Sequence, residues 1–184
     1  HEAGEDTSEV TTDIKQAIQT IHKRSEGLLQ FVQTYRSLTK IPKPNFEILQ
    51  VKAFYENLEQ FMKKDIEKAG INLKINIAPE NLEITADETM MEQVFINLMR
   101  NAIHAVEKVS SPEIKLNAGY GNYGNIMLQV VDNGQGILPD VLDKIFIPFF
   151  TTKQSGSGIG LSLSRQLIRA QGGNITATSE PGKT

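Results

Sequence analysis

The sequence predicts an α+β fold in which helices cover one face of a mixed sheet and a long helix stands ahead of it. Three observations carry this. Apolar residues return every seven positions through the first forty; helical and alternating patterns interleave from residue 50 onward; and two strand candidates lie close enough to form a hairpin, which a doubly wound parallel fold would not contain. At 184 residues the chain can form one compact domain and an added element, but not two full domains.

The first helix runs from about Val10. Ile14, Ile21, Leu28 and Tyr35 form one row, with Ala17, Phe31 and Leu38, or Ile18 and Val32, beside it. Asp6 and Glu9 resemble a capping box, and Ile41-Pro42-Lys43-Pro44 ends the helix after about nine turns. Its apolar seam is expected to meet another helix, in this chain or in a partner. A second helix spans about residues 50 to 69, where Val51, Phe54, Tyr55, Leu58, Phe61, Met62 and Ile66 recur at three and four, and Gly70 closes it. Ile71, Leu73, Ile75 and Ile77 then alternate with polar residues as a half-buried strand, and a short strand through Leu82 and Ile84 follows. Asp87 caps a third helix with Val94, Phe95, Leu98, Ala102, Ala105 and Val106 facing inward. Ile114 to Ala118 and Ile126 to Val130 pair around a Gly- and Asn-rich turn. Pro139 opens a short helix, Gly156 to Gly160 lead into another that reaches Ala170, and Ile175 to Thr178 is a last expected strand.

Nineteen Lys and Arg against 22 Asp and Glu leave a charge of −3, which disfavours nucleic acid and anionic membrane surfaces as partners. The absence of Cys excludes disulfides, zinc-thiolate sites and thiol nucleophiles. Apolar runs are a few residues long, against the roughly 20 needed to span a bilayer, so a soluble chain without membrane contact of its own is expected.

Three features bear on chemistry. Asn97 and Asn101 lie four apart and share one face of the third helix; their amide oxygens could hold a hard cation or a polar ligand, or they are two solvated surface amides. Asp132-Asn133-Gly134-Gln135-Gly136 turns sharply out of a strand, and its carboxylate could accept from an amino group such as that of adenine, or the segment is a plain turn. Thr151 to Gly160 is a polar, glycine-rich loop feeding a helix N-terminus, which suits a polyphosphate, although its spacing does not match the dinucleotide-binding fingerprint.

The order of these features is that of four boxes. Glu92 to Ala102 (Glu-Gln-Val-Phe-Ile-Asn-Leu-Met-Arg-Asn-Ala), Asp132 to Ile137 (Asp-Asn-Gly-Gln-Gly-Ile), Ile145 to Lys153 (Ile-Phe-Ile-Pro-Phe-Phe-Thr-Thr-Lys) and Gly156 to Leu163 (Gly-Ser-Gly-Ile-Gly-Leu-Ser-Leu) resemble the N, G1, F and G2 boxes of the GHKL, or Bergerat, ATP-binding fold, and the chain resembles a sensor histidine kinase of a two-component system. Arg24 to Leu29, and Tyr35-Arg36 on to Pro44, resemble the second dimerisation helix of the NtrY-like kinases. The resemblance implies residues 1–44 as that helix and 45–184 as a catalytic ATP-binding domain without its last strand.

It also implies residue roles. Asp132 would accept from the adenine amino group, with Gly134 and Gly136 letting the backbone approach the base. Asn101, helped by Asn97, would hold Mg²⁺ on the phosphates, and His104 would lie near them. Thr152 and Lys153, with the backbone of Gly156, Gly158, Gly160 and Leu161, would close over the β- and γ-phosphates; Asn97, Asn101 and Lys153 would serve catalysis. The implied activity is transfer of the ATP γ-phosphate to a histidine, then to an aspartate on a response-regulator receiver domain, by a homodimer in the full-length protein, in the cytoplasm. The acceptor helix is expected to be missing: His1-Glu2 matches the acceptor dipeptide but Ala3-Gly4 does not continue it, and His22 lies beside the seam. An ATPase clamp of the same superfamily is the alternative, but such ATPases carry Glu where Asn97 stands; a nucleotide-sensing module is another.

Overall fold

The computed structural model describes Thr12, residues 14–22, 24–25, Val32, 41–121, 124–153 and 156–180. The chain divides into two units, His1–Lys40 and Ile41–Thr184. In the first, the described residues are helical and exposed, Ile14, Ile18, Ile21 and Val32 among them. The remaining seam residues Leu28, Phe31, Tyr35 and Leu38, the Asp6–Glu9 box and His1 lie outside the described residues.

The second unit runs β1 (Glu47–Gln50), α1 (Val51–Lys68), β2 (Asn72–Ala78), β3 (Glu83–Ala86), α2 (Glu88–Ala105), β4 (Glu113–Tyr120), β5 (Ile126–Asp132), α3 (Pro139–Leu142) and α4 (Gly160–Ala170). β2 pairs parallel with β4 and β4 antiparallel with β5, giving a mixed sheet in the order β2-β4-β5; β1 and β3 form a separate antiparallel pair. The α+β class expected from the sequence is the one found. Among the described residues, no helix is long and apolar enough to cross a membrane.

Alternation decides which face of the sheet is covered. Leu73, Ile75 and Ile77, Ile114, Leu116 and Ala118, and Ile126, Leu128 and Val130 turn toward the helices and join the core, while Lys74, Asn76, Lys115 and Gln129 take the other face. Phe54 and Tyr55 of α1 meet Phe95 of α2, Phe54 edge-on with ring centroids 5.3 Å apart. The Tyr55 hydroxyl, whose burial pushes its pKa up, donates to the Asn117 carbonyl at 2.9 Å and locks α1 to β4.

Asp87 fixes where α2 begins. Its Oδ1 accepts from the Met90 N–H at 2.9 Å, its Oδ2 from the Asn45 N–H at 2.8 Å, and its own N–H donates to Gln171 Oε1 at 2.8 Å. One residue thus ties together the approach to β1, the start of α2 and the end of α4. The Asn45 and Met90 N–H groups hold its carboxyl below the ordinary carboxylate range. Asp87→Ala is expected to lower the melting temperature by several degrees at neutral pH. Because a lowered pKa gives stability that is present above the unfolded-state value and lost as pH falls through the folded one, the gap between variant and wild type should close under acid. Thermal melts of both chains across the carboxylate range check this.

Two expectations about strands need correction. β1 was not anticipated: only Leu49 of its four residues is buried, and it forms by pairing with the distant β3. The strand expected at Ile175 to Thr178 is absent; these residues carry no ladder, and of them only Ile175 is partly buried. A run with one large apolar residue has little to gain from pairing. The next residue, Ser179, accepts the Ile137 N–H on its Oγ at 2.8 Å.

Candidate functional site

The site assembles around α2. Its register puts Met90, Met91, Val94, Phe95, Met99 and Ala102 into the core and leaves Asn97 and Asn101 half-buried on another face. Along that face runs α4, and the loop that feeds α4 brings Lys153 up to Asn101. Lys153 Nζ donates to Asn101 Oδ1 at 2.7 Å, joining residues 52 positions apart. A positive charge therefore already sits on the oxygen that would ligate a metal, so the donor set suits a cation. Burial lowers the Lys153 pKa, while the charge of Glu107 acts in the opposite sense.

Asn97 faces α4 instead. Its Nδ2 donates to Ser164 Oγ at 3.0 Å, and its Oδ1 fills the space a side chain at Gly160 would need. The Asn97 and Asn101 amides, read as a pair, are thus engaged by different elements. His104, at the exposed end of α2, pairs through Nδ1 with Glu107 Oε1 at 2.8 Å.

The turn after β5 is pinned to the C-terminal end of α2. A Cβ on Gly134 would lie 2.6 Å from the Ala105 carbonyl oxygen, and the Gln135 N–H donates to that oxygen at 3.3 Å. Close helix packing is the contact that demands glycine at 134. Gly136 takes the left-handed conformation, φ 74°. Asn133 bonds Glu113 with both its N–H and its Oδ1 and donates from Nδ2 to the Ser111 carbonyl, extending the β4–β5 pairing. Asp132, the last residue of β5, accepts the Gly134 N–H on Oδ1 at 2.9 Å, leaving Oδ2 for another donor. Desolvation raises its pKa, with the Gly134 N–H opposing.

The loop's two ends are held together. The Phe149 N–H donates to the Gly158 carbonyl at 2.9 Å, and a Cβ on Gly158, whose φ is 67°, would lie 2.5 Å from the Phe149 backbone. Phe149 itself is left-handed at φ 67°, an uncommon conformation for an aromatic residue, at the junction where the loop departs. Thr151 Oγ1 accepts from the Lys153 N–H at 3.0 Å, and a Cβ on Gly156 would lie 2.6 Å from that hydroxyl. Thr152 is exposed. No side chain caps α4, whose first turn, Gly160 and Leu161 onward, contains no acidic residue; its positive end is suited to an anion.

Residues 86–184, more than half of the chain, match the family described as histidine kinase-, DNA gyrase B-, and HSP90-like ATPase. The chain belongs to that family. Sensor histidine kinase ZraS of Salmonella typhimurium is 30% identical over 165 residues, covering 90% of this chain and 35% of that protein. The catalytic domain of histidine kinase ThkA superposes with a TM-score of 0.62 at 31% identity, over 69% of this chain and 82% of that one. ThkA in complex with response regulator protein TrrA superposes with a TM-score of 0.67 at 28% identity, over 87% of this chain and 45% of that one. The chain spans about a third or less of the length of the curated relatives it matches. Family membership agrees with the ATP-binding fold expected from the four boxes. Sequence reasoning missed Ser164 and Ala105 as contacts of the site; the signal for Ser164 was that Gly160 and Ser164 repeat the four-residue spacing of Asn97 and Asn101 on the facing helix.

Proposed function

We propose that this chain is the ATP-binding catalytic part of a sensor histidine kinase, with residues 45–184 as the catalytic domain and residues 1–44 as the second helix of a dimerisation domain. The observation that carries the reading is the Lys153–Asn101 contact, which draws the loop's cation onto the α2 face beside the Asp132 turn. Asp132 would accept from the adenine amino group through Oδ2. Thr152, Lys153 and the first N–H groups of α4 would take the β- and γ-phosphates, with Lys153 passing from Asn101 to phosphate oxygen. Mg²⁺, held by Asn101 Oδ1, would neutralise phosphate charge as the terminal P–O bond breaks. The residues of this chain position and stabilise charge; the attacking nitrogen belongs to a histidine of the dimerisation domain, which must come in line within about 3 to 3.5 Å of phosphorus. The new P–N bond forms as ADP leaves, and the phosphoryl group then passes to an aspartate of a response regulator. The parent protein would act as a homodimer, with this part in the cytoplasm.

Asn97 supports transfer over hydrolysis, since a carboxamide is not basic enough to take a proton from an attacking water. The test is incubation with γ-labelled ATP and Mg²⁺. The chain alone is expected to label itself negligibly; joined to an upstream acceptor helix, it should carry an acid-labile, base-stable phosphoryl group. Steady phosphate release from the extended chain with no labelled protein would overturn the reading in favour of an ATPase clamp.

A further inference from the structure

α2 and α4 meet at Asn97, which faces two α4 residues one helical turn apart, Gly160 and Ser164. Ser164 is 2% exposed, so its hydroxyl is a polar group taken out of water, and Asn97 Nδ2 donates to it at 3.0 Å. On the other side, the absence of a side chain at Gly160 leaves room for Asn97 Oδ1. The amide is thereby held at both ends, its oxygen at the residue where the phosphate loop becomes α4, one helical turn before Asn101. A free asparagine side chain would sample several rotamers, and each would carry that oxygen elsewhere.

We infer that Ser164 is a positioning residue: its buried hydroxyl anchors the Asn97 amide so that the carbonyl oxygen stays at the start of α4, one helical turn before Asn101 along α2, and can support the metal and its water. The inference rests on the nucleotide-binding reading of the site. It makes the Asn97–Ser164 contact part of the metal site's surroundings rather than simple helix packing, and outer contacts of this kind set metal affinity.

Ser164→Val and Ser164→Thr test it, because the two side chains share a shape and differ in the hydroxyl. Calorimetry should find Mg²⁺·ADP binding weakened about tenfold in Ser164→Val and close to wild type in Ser164→Thr, with Mg²⁺-free ADP binding alike in all three. In nitrogen-15 spectra of the nucleotide-free chain, the Asn97 side-chain NH₂ should exchange slowly in wild type and Ser164→Thr and rapidly in Ser164→Val. Equal metal-dependent affinity in the Val and Thr variants would overturn the inference, whether both match wild type or both fall. If the wild-type chain bound no nucleotide at all, the reading of the site would fail first, and the inference with it.

Discussion

Asn101→Ala is expected to cut phosphoryl transfer by the helix-extended chain about 10²- to 10³-fold, the scale seen when one preorganised charge-stabilising contact is removed from a reacting centre. Asn101 Oδ1 already accepts from the Lys153 ammonium, so its surroundings favour a cation, and removing it leaves both Lys153 and a metal without that anchor. Nucleotide binding without Mg²⁺ should change little, since neither the Asp132 turn nor the α4 N-terminus depends on Asn101. Excess Mg²⁺ should restore part of the rate if Asn101 acts through the metal. Transfer that survives in the variant at wild-type rate and at limiting Mg²⁺ would remove Asn101 from the site.

Which residues share a face is legible in this sequence; what that face meets is much less so. Asp87 reads as a cap because Asp ahead of an apolar helical run has one favourable local use, and the cap is there. The β4–β5 hairpin reads equally well because its register is local. β1 does not, since its partner lies beyond a whole helix and its residues barely alternate in burial. In the site, the spacing of Asn97 and Asn101 places both on one helix face, yet Asn97 turns to Ser164 because Gly160 makes room for it on α4. Gly134 carries the same lesson. A glycine in a turn beside a candidate base-binding carboxylate suggests approach to a ligand, whereas the contact that demands it here is the Ala105 backbone. Tertiary packing of one helix end chose the residue, and no local pattern records that.

The other large effect is expected at Asp132. Replacing it by Asn exchanges a single oxygen for an NH₂ group and leaves the shape alone. Asn Oδ1 can still accept the Gly134 N–H, so the turn should keep its form. On the proposed reading of the site, the change falls on the second position, where an acceptor would become a donor facing the adenine amino group, itself a donor. An unmet buried pair of this kind costs about 1 to 3 kcal/mol, which corresponds to roughly a 5- to 150-fold loss of ADP affinity. Stability should move the other way. Desolvation raises the Asp132 pKa, and a raised folded-state value gives stability that is complete below the unfolded-state value and lost as pH rises through the folded one. At neutral pH the ionised carboxylate therefore works against folding, and the Asn variant should melt at or above the wild-type temperature. Wild-type affinity for ADP should also weaken as pH falls toward the raised Asp132 pKa, while the variant shows no such dependence. Calorimetry over pH, paired with thermal melts, separates this from general damage: lost affinity together with lost stability would indicate a disrupted turn, and unchanged ADP affinity in Asp132→Asn would remove the adenine contact from the site.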